Sequence, residues 1–162
     1  MRWAALLLLA APATAQDLVF SPAATEACLA QATSLDDQLT CAGTSANACM
    51  EATPGGYSTV GMGGCLDREY LWWDARLNAS YQEALTAAKA VDADALPGPR
   101  GLPHAEASLR AMQRAWLPYR DALCAFEASK WGGGTGGGPA AIGCLLHETA
   151  RQTLIIDQGW GL

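Results

Sequence analysis

Residues 62–91, MGGCLDREYLWWDARLNASYQEALTAAKAV, decide the fold class of this chain. Their large apolar side chains recur at intervals of three or four residues, the spacing of one face of an α-helix. Charged residues fall between these positions, on the side that we expect to face solvent. The stretch predicts one long amphipathic helix, with Thr59 as its N-cap. The apolar stripe consists of Met62, Leu66, Tyr70, Trp73, Leu77, Tyr81, Leu85, Ala88 and Val91.

A second apolar stripe predicts another long helix that packs against the first one. Pro118 lies inside it and should kink it, because proline removes the hydrogen bond to the carbonyl of Arg114. The prolines and glycines of residues 97–101 predict a linker between the two helices. The second stripe alternates spacings of three and four through Leu109, Met112, Trp116, Tyr119, Leu123 and Phe126.

Shorter helices are predicted on either side of this pair. Residues 22–33 and 35–51 favour two of them, with Ser34 as a cap between, and Pro139 opens a last one. The six glycines of residues 132–138 predict a flexible loop. Because no stretch shows the period-two alternation of a strand, we expect an all-α fold. It would be a small, disulfide-bonded domain with two long packed helices and shorter flanking helices.

The first fifteen residues have the pattern of a secretory signal peptide. Arg2 supplies the positive start, residues 3–11 are apolar, and residues 13–15 fit a small-residue cleavage site. We expect a mature chain of residues 16–162 that forms a single domain and is periplasmic or secreted. The apolar stretch is too short to span a bilayer and no later segment approaches about 20 apolar residues, so no membrane insertion is expected after cleavage.

Six cysteines lie in the mature part, and disulfides are their expected state in an oxidising compartment. No CxxC spacing, typical of redox motifs and zinc knuckles, is present. Several pairings are possible in principle. We favour sequential pairing, because each bond would then close a local excursion between neighbouring helices. The favoured pairs are Cys28 with Cys41, Cys49 with Cys65, and Cys124 with Cys144.

Composition and motifs exclude several classes of function. The 162 residues are 51% hydrophobic, enough for the core of one domain. Sixteen acidic residues against ten basic ones give a net charge of −6 without a basic run, which argues against a nucleic-acid partner. No metalloprotease, serine-hydrolase or catalytic-cysteine motif occurs. We therefore expect a protein that is not an enzyme and holds neither a metal nor a cofactor.

A set of aromatic and polar residues forms a family pattern on the two long helices and the last one. It consists of Glu69, Trp73, Asp74, Asn78, Tyr81, Gln113, Trp116, Arg120, Asp121 and Arg151, together with the later cysteines. Over residues 49–155 the chain resembles the N-terminal domain family of LprI-type lysozyme inhibitors. The resemblance implies an exported, often periplasmic helical domain, with lysozyme inhibition as its activity. Its most specific segment is QRAWLPYRDALC, residues 113–124.

The motif residues are interpreted as structural. Arg120 could stack on Trp116 and pair with Glu69 or Asp74 in a bidentate geometry. Arg120 and Arg151 would then join helices through buried carboxylates. The alternative is that they form a recognition pocket for an anionic ligand. Asn78, on the long helix, is also interpreted as structural: its amide would form a hydrogen bond between helices.

The best functional candidate is the loop of residues 53–64, which a Cys49–Cys65 bond would close at its base. Tyr57 gives this loop an aromatic tip, followed by Ser58 and Thr59. A loop ordered in advance can block the cleft of an enzyme at a low entropic cost. The competing interpretation is that Ser58 and Thr59 only cap the long helix.

Two function hypotheses follow. The first is an exported protein that inhibits lysozyme or another cell-wall hydrolase by steric blockage of its cleft. The second is a non-enzymatic envelope module that binds a cell-wall fragment or another exported protein, for which an exposed patch around Trp72 would speak. The sequence leaves the oligomeric state open.

Overall fold

The computed structural model describes residues 17–94 and 104–161, and this part of the chain is helical without strands. The all-α, disulfide-bonded fold class is confirmed. The predicted signal peptide and the linker of residues 97–101 lie outside the described residues. None of the described helices is long and apolar enough to cross a membrane. The helices are α1 (Ala23–Leu29), α2 (Leu35–Thr40), α3 (Thr44–Ala52), α4 (Thr59–Asp94), α5 (Ala105–Ser129) and α6 (Gly137–Trp160).

Helices α4 and α6 run parallel to each other through the centre of the molecule. A Cβ atom placed on Gly63, early in α4, would lie 3.8 Å from Ile142 Cδ1, early in α6. Further along both helices, Arg76 Nη2 lies 3.5 Å from Asp157 Oδ2. Because both pairs advance in the same direction, the first turns of α4 and α6 lie at the same end of the bundle.

Helix α5 runs antiparallel to α6. The Cys124–Cys144 disulfide joins the C-terminal part of α5 to the N-terminal part of α6. Nearer the start of α5, Gln152 Nε2 donates to Gln113 Oε1 over 2.9 Å. The end of α5 therefore lies beside the starts of α4 and α6.

The core lies between α4 and α6, with Trp73 at its centre and fully buried. One cluster packs α3 and α6 around that indole, and a second joins α4 to α5 and α6 through Leu77, Leu109 and Ile156. Each large apolar side chain buried in this way contributes roughly 1.5–3 kcal/mol. The first cluster consists of Ala42, Ala46, Trp73, Leu146, Ala150 and Leu154.

The apolar stripe predicted on α5 is only partly buried, which corrects the sequence interpretation. Leu109 is buried, but Met112, Tyr119 and Phe126 are exposed by 39%, 56% and 59%. The reason is that α6 packs against a different line of α5, which runs through Gln113, Arg120 and Cys124. Pro118 lies within α5 without ending it.

The single helix predicted over residues 35–51 is two helices, because the chain breaks at Gly43. Gly43 has a φ of 94°, a left-handed conformation that favours glycine. The break turns two backbone N–H groups of the α3 N-terminus toward one buried carboxylate, that of Glu69. α1 also ends at Leu29, earlier than predicted.

Caps fix where the helices begin. Ser34 and Asp37 form a capping box at α2, and hydrogen bonding by Ser34 and then Thr33 lowers the pKa of Asp37. At α4, Ser58 Oγ accepts from the Gly61 N–H over 3.1 Å. Helix α4 begins at Thr59, so Ser58 rather than Thr59 supplies the capping oxygen.

A carboxylate from the end of α4 caps the start of α5. Asp92 Oδ1 accepts from the Ala105 N–H over 2.7 Å, and Oδ2 accepts from the Glu106 N–H over 3.0 Å. The bond from Glu106, followed by that from Ala105, lowers the pKa of Asp92. The side chain thereby ties the end of α4 to the start of α5.

Candidate functional site

Two short loops project from one end of the bundle, where α4 and α6 begin and α5 ends. We call this region the loop end, and we call residues 53–58 the first loop and residues 130–136 the second loop. Three large apolar side chains are exposed there: Tyr57 by 63%, Val60 by 74% and Trp131 by 55%. Exposed aromatic groups held on ordered segments are typical of protein-binding surfaces.

The first loop is closed by the Cys49–Cys65 disulfide and is wound against its own backbone. A methyl group on Gly56 would overlap the carbonyl of Met50, and one on Gly61 would lie 2.6 Å from the carbonyl oxygen of Gly56. The loop is shorter than predicted, because residues 59–64 already belong to α4. Only glycine fits these two positions, so the backbone under Tyr57 is fixed by close packing.

The second loop is closed by the Cys124–Cys144 disulfide. The Trp131 ring lies on Gly136, where a methyl group would overlap it. The Gly134 N–H donates to the Trp131 carbonyl over 2.8 Å, and the Gly137 N–H donates to the Gly134 carbonyl over 3.1 Å. The glycine-rich segment, predicted as a flexible loop, is thus a series of hydrogen-bonded turns that leads into α6.

A buried polar cluster ties the start of α3, the helix that leads into the first loop, to α4. Glu69 is fully buried. Its Oε1 accepts from Thr25 Oγ1 over 2.8 Å and from the Gly43 N–H over 2.9 Å, and its Oε2 accepts from the Ala46 N–H over 2.6 Å. Trp73 Nε1 adds a donor at 3.3 Å. The four donors satisfy a carboxylate that makes no ion pair within residues 17–94 and 104–161, and they join α1, α3 and α4.

Arg120 is buried between helices but does not pair with the predicted carboxylates. Its guanidinium carbon lies 4.9 Å from the centroid of Trp116, so the expected stacking is present. The charge pairs with its chain neighbour Asp121 at 2.8 Å, rather than with Glu69 or Asp74. Glu69 is unavailable because hydroxyl and N–H donors already surround it.

The remaining motif residues take mixed positions. Asn78 is exposed, and its amide bonds to Asp74 in the same helix rather than bridging two helices. Arg151 is exposed on α6 and makes no ion pair with any residue of the described segments. Gln113 does bridge α5 and α6, and Tyr81 is half-buried against the second core cluster. These residues do not converge on one pocket.

Within residues 17–94 and 104–161, no group of three or more His, Cys, Asp or Glu side chains is arranged to hold a metal ion. Trp72 is half-buried, with its ring centroid 4.8 Å from that of Trp73 in an edge-to-face contact. At the loop end, what the protein offers to a partner is a set of exposed apolar and aromatic side chains on a rigid backbone.

A family model described as "Lysozyme inhibitor LprI" matches residues 49–154. This chain belongs to the LprI family. The matched segment begins at Cys49, so the family region contains both disulfides of the loop end and leaves out the Cys28–Cys41 bond. The family carries the name of an inhibitor rather than of a catalyst.

Relatives of this LprI-family chain are described only as uncharacterized. It is 33% identical over 134 residues to an uncharacterized 17.7 kDa protein in the puhA 5' region of Rhodobacter capsulatus, with 80% of each chain covered. It is 32% identical over 89 residues to an uncharacterized protein of Rhizobium meliloti (strain 1021), covering 55% of this chain and 64% of the relative. No solved structure matches significantly.

Sequence reasoning identified Tyr57 and missed two of the three exposed side chains of the loop end. Val60 lies in the first turn of α4, where the stripe pattern gave no reason to single it out. Trp131 stands directly before the glycine run, and this juxtaposition of a large aromatic residue with glycines was the available signal.

Proposed function

We propose that this LprI-family chain is an exported, non-enzymatic binding protein that inhibits lysozyme-type muramidases by blocking their cleft with the loop end. The observation that carries the proposal is the pair of disulfide-closed loops, which present Tyr57 and Trp131 at one end of a rigid bundle, beside the exposed Val60 of α4. The family description supplies the class of target.

The geometry supports steric inhibition because the loops are already ordered. Binding a flexible loop costs conformational entropy, whereas a loop held by a disulfide and by close backbone packing has lost that freedom during folding. The first loop carries Tyr57, the more exposed of the two aromatic side chains of the loops, so it is the segment that enters the cleft. Trp131 and Val60 contact the rim.

Charge supports the same class of target. The chain has a net charge of −6, and lysozymes of the c type are strongly basic. Complementary fields speed the encounter of two such proteins and weaken with added salt. The inhibition should therefore decline as ionic strength rises.

Three disulfides support export, because such bonds persist in oxidising compartments and are rare in the cytosol. The N-terminal signal-peptide pattern agrees with this location. We place the protein in the periplasm or outside the cell, as a single domain that follows a cleaved leader.

The test is lysis of a cell-wall suspension by a c-type lysozyme with increasing amounts of the oxidised protein. Tyr57→Ala and Trp131→Ala should each raise the inhibition constant at least about tenfold, the loss of one central aromatic contact. Val91→Ala is the matched control, because Val91 is an exposed apolar residue near the other end of α4.

Full inhibition by Tyr57→Ala and Trp131→Ala together would contradict the proposed mechanism. No inhibition by the unaltered protein at a large molar excess would contradict the lysozyme target. That second result would favour the envelope module, which binds a cell-wall fragment or another exported protein.

A further inference from the structure

A small polar cavity lies between the end of α6, the middle of α4 and the short helices α1 and α2. Its volume is about 220 Å³. Pockets for drug-sized ligands measure about 300–1,000 Å³, so this cavity suits a smaller molecule. Charged, amide and apolar side chains share its wall. The lining includes Leu29, Gln38, Arg76, Leu154, Asp157 and Gln158.

Two opposite charges lie side by side on this wall, and their mutual contact is loose. Arg76 Nη2 lies 3.5 Å from Asp157 Oδ2, whereas the closest ion-pair contacts of Arg110 and Arg120 are 2.8 Å. A full charge-assisted hydrogen bond between such groups is about 2.7–2.9 Å long. The guanidinium and the carboxylate therefore keep hydrogen-bonding capacity for a third partner.

Two amides bridge the cavity in an equally loose way. Gln158 Nε2 donates to Gln38 Oε1 over 3.4 Å, longer than the usual range for such a bond. The side chains of Leu29 and Leu154 add apolar surface to the lining. The cavity thus offers a cation, an anion, two amides and an apolar patch to one small molecule.

Two indole rings orient the guanidinium of Arg76. Its carbon lies 5.9 Å from the ring centroids of both Trp72 and Trp73. Trp73 is fully buried and Trp72 is half-buried, so both rings have fixed surroundings. The Arg76 side chain nevertheless remains 43% exposed. Its charge is therefore positioned by the fold and still accessible to a ligand.

The spacing of the two charges matches that of an α-amino acid. Standard bond lengths and angles place the ammonium nitrogen of such a molecule about 2.7 Å from its nearer carboxylate oxygen. When it lies antiparallel to the protein pair, its carboxylate meets Arg76 and its ammonium group meets Asp157. In a dipeptide, the extra peptide unit adds about 3.8 Å between the two charges, so they no longer match.

The end of α6 favours the same orientation of the ligand. Asp157 lies in the last turn of this helix, which Gly161 closes in a left-handed conformation. The C-terminus of a helix carries a partial negative charge and stabilises a nearby cation. The ammonium side of the cavity is therefore the side of Asp157.

From this arrangement we propose that the cavity binds a free α-amino acid with an aliphatic side chain. Arg76 holds its carboxylate, Asp157 holds its ammonium group, and Leu29 and Leu154 contact its side chain. The cavity is remote from the loop end, because Arg76 and Asp157 lie 17 and 20 residues after the starts of α4 and α6. These separations correspond to about 25–30 Å along the helices.

Backbone-amide NMR spectra of the oxidised protein test this site by titration with leucine. A range from about 10 µM to 10 mM covers the modest affinity of so small a ligand. We expect saturable shifts at the amides of the cavity residues. Arg76→Gln and Asp157→Asn should each weaken binding at least about tenfold, through loss of one charge-assisted contact.

Arg68→Gln is the matched control for the charge. Arg68 is an exposed arginine two turns earlier on α4, and it makes no ion pair within residues 17–94 and 104–161. Its replacement removes the same charge from the same helix outside the cavity. This variant should bind leucine as the unaltered protein does.

Ligands that lack one charge test which residue meets which group. Isocaproate lacks the ammonium group of leucine, and leucinamide lacks its carboxylate. Each should bind the unaltered protein at least about tenfold more weakly than leucine. The preference for leucine over isocaproate should disappear in Asp157→Asn, and the preference over leucinamide should disappear in Arg76→Gln. A purely structural ion pair would not produce this pattern.

The absence of saturable shifts with leucine, or shifts confined to segments away from the cavity, would overturn the proposal. Equal binding of leucine and leucinamide by the unaltered protein would overturn it without any substitution. Circular dichroism of each variant shows that its helices have formed. The lysozyme assay depends on Tyr57 and Trp131 and not on this cavity, so the two proposals stand or fail separately.

Discussion

The two loops at the loop end are both glycine-rich and both closed by a disulfide, yet different contacts order them. In the first loop, glycine backbone packs against backbone carbonyls, and Tyr57 takes no part in that packing. In the second loop, the exposed aromatic ring itself lies on Gly136 and orders the turn. The first loop therefore separates its scaffold from its contact residue, whereas the second uses Trp131 for both.

This difference has a direct consequence for mutagenesis. Replacing Tyr57 should alter only what the protein binds. Replacing Trp131 should alter binding and also loosen the turn that carries it, because the ring lies on Gly136.

Removing a disulfide should have the largest effect on stability. Cys49→Ser with Cys65→Ser, or Cys124→Ser with Cys144→Ser, opens a loop of 16 or 20 residues. Each change should lower the free energy of unfolding by about 3 kcal/mol, through the added freedom of the unfolded chain. Urea unfolding at neutral pH measures it. A loss below about 1 kcal/mol for either pair would show that the bond does not constrain its loop.

Gly61→Ala should come next, because the added methyl group would meet backbone atoms of Gly55 and Gly56 that cannot move aside. Overpacking of this kind costs about 1–3 kcal/mol and outweighs the gain of about 1 kcal/mol in helix propensity. Thermal unfolding is the measurement.

The control for this change is Gly63→Ala, two residues further along α4. There the methyl group would lie 3.8 Å from Ile142, an ordinary contact, so the variant should be as stable as the unaltered protein or more so. Equal destabilisation by both variants would mean that close packing is not specific to the first loop.

Gly136→Ala should disturb the second loop with less effect on stability, below about 1 kcal/mol, because an exposed ring can swing aside. The displaced ring should change its fluorescence, and inhibition of lysozyme should weaken. Gly138→Ala is the control, since nothing lies within 4 Å of its added methyl group. An unchanged fluorescence spectrum in Gly136→Ala would show that the ring does not depend on the glycine.

The sequence predicts the helices and the disulfide pairs well, but it predicts the contacts of the candidate site less well. The spacing of apolar residues in α4 predicts its length to within a few residues, and the sequential cysteine pairs follow from local closure. The break at Gly43 could not be predicted, because it depends on Glu69, a charged residue that pattern reasoning places among structural ion pairs. The Glu69 carboxylate instead accepts hydrogen bonds from N–H and O–H groups of two segments that are distant in the sequence.

For α5, the sequence predicts the helix correctly but not which of its side chains are buried. Its alternating spacing correctly predicts a helix, but a stripe does not say which part of it the core covers. α6 occupies only one flank, so Met112, Tyr119 and Phe126 remain exposed. For Trp131, the sequence places an aromatic residue beside glycines without revealing that its ring lies on one of them.

A third connection, between α4 and α5, depends on a charged side chain instead of a disulfide. Removing that charge should have the smallest effect on stability. The pKa of Asp92 is lowered by N–H donors of α5. A carboxylate of this kind stabilises the fold above its unfolded-state pKa of about 4, and the stabilisation is lost as the pH falls through the lower folded-state value. Asp92→Ala should therefore lower the melting temperature slightly at pH 7, and the deficit should shrink toward pH 2.

The control for the charge is Asp94→Ala. Asp94 also ends α4, but among the described residues it makes no hydrogen bond or ion pair. Its replacement should leave the pH profile of unfolding unchanged. A deficit of Asp92→Ala that persists at low pH would show that the carboxylate charge is not what caps α5.

The most direct test of the loop end is hydrogen–deuterium exchange of the oxidised protein with and without a saturating c-type lysozyme. We predict that exchange slows on binding in residues 53–58 and 130–136, with the flanking first turns of α4 and α6 less affected. Slowing confined to other segments, or no change in either loop while lysozyme is bound, would contradict the account.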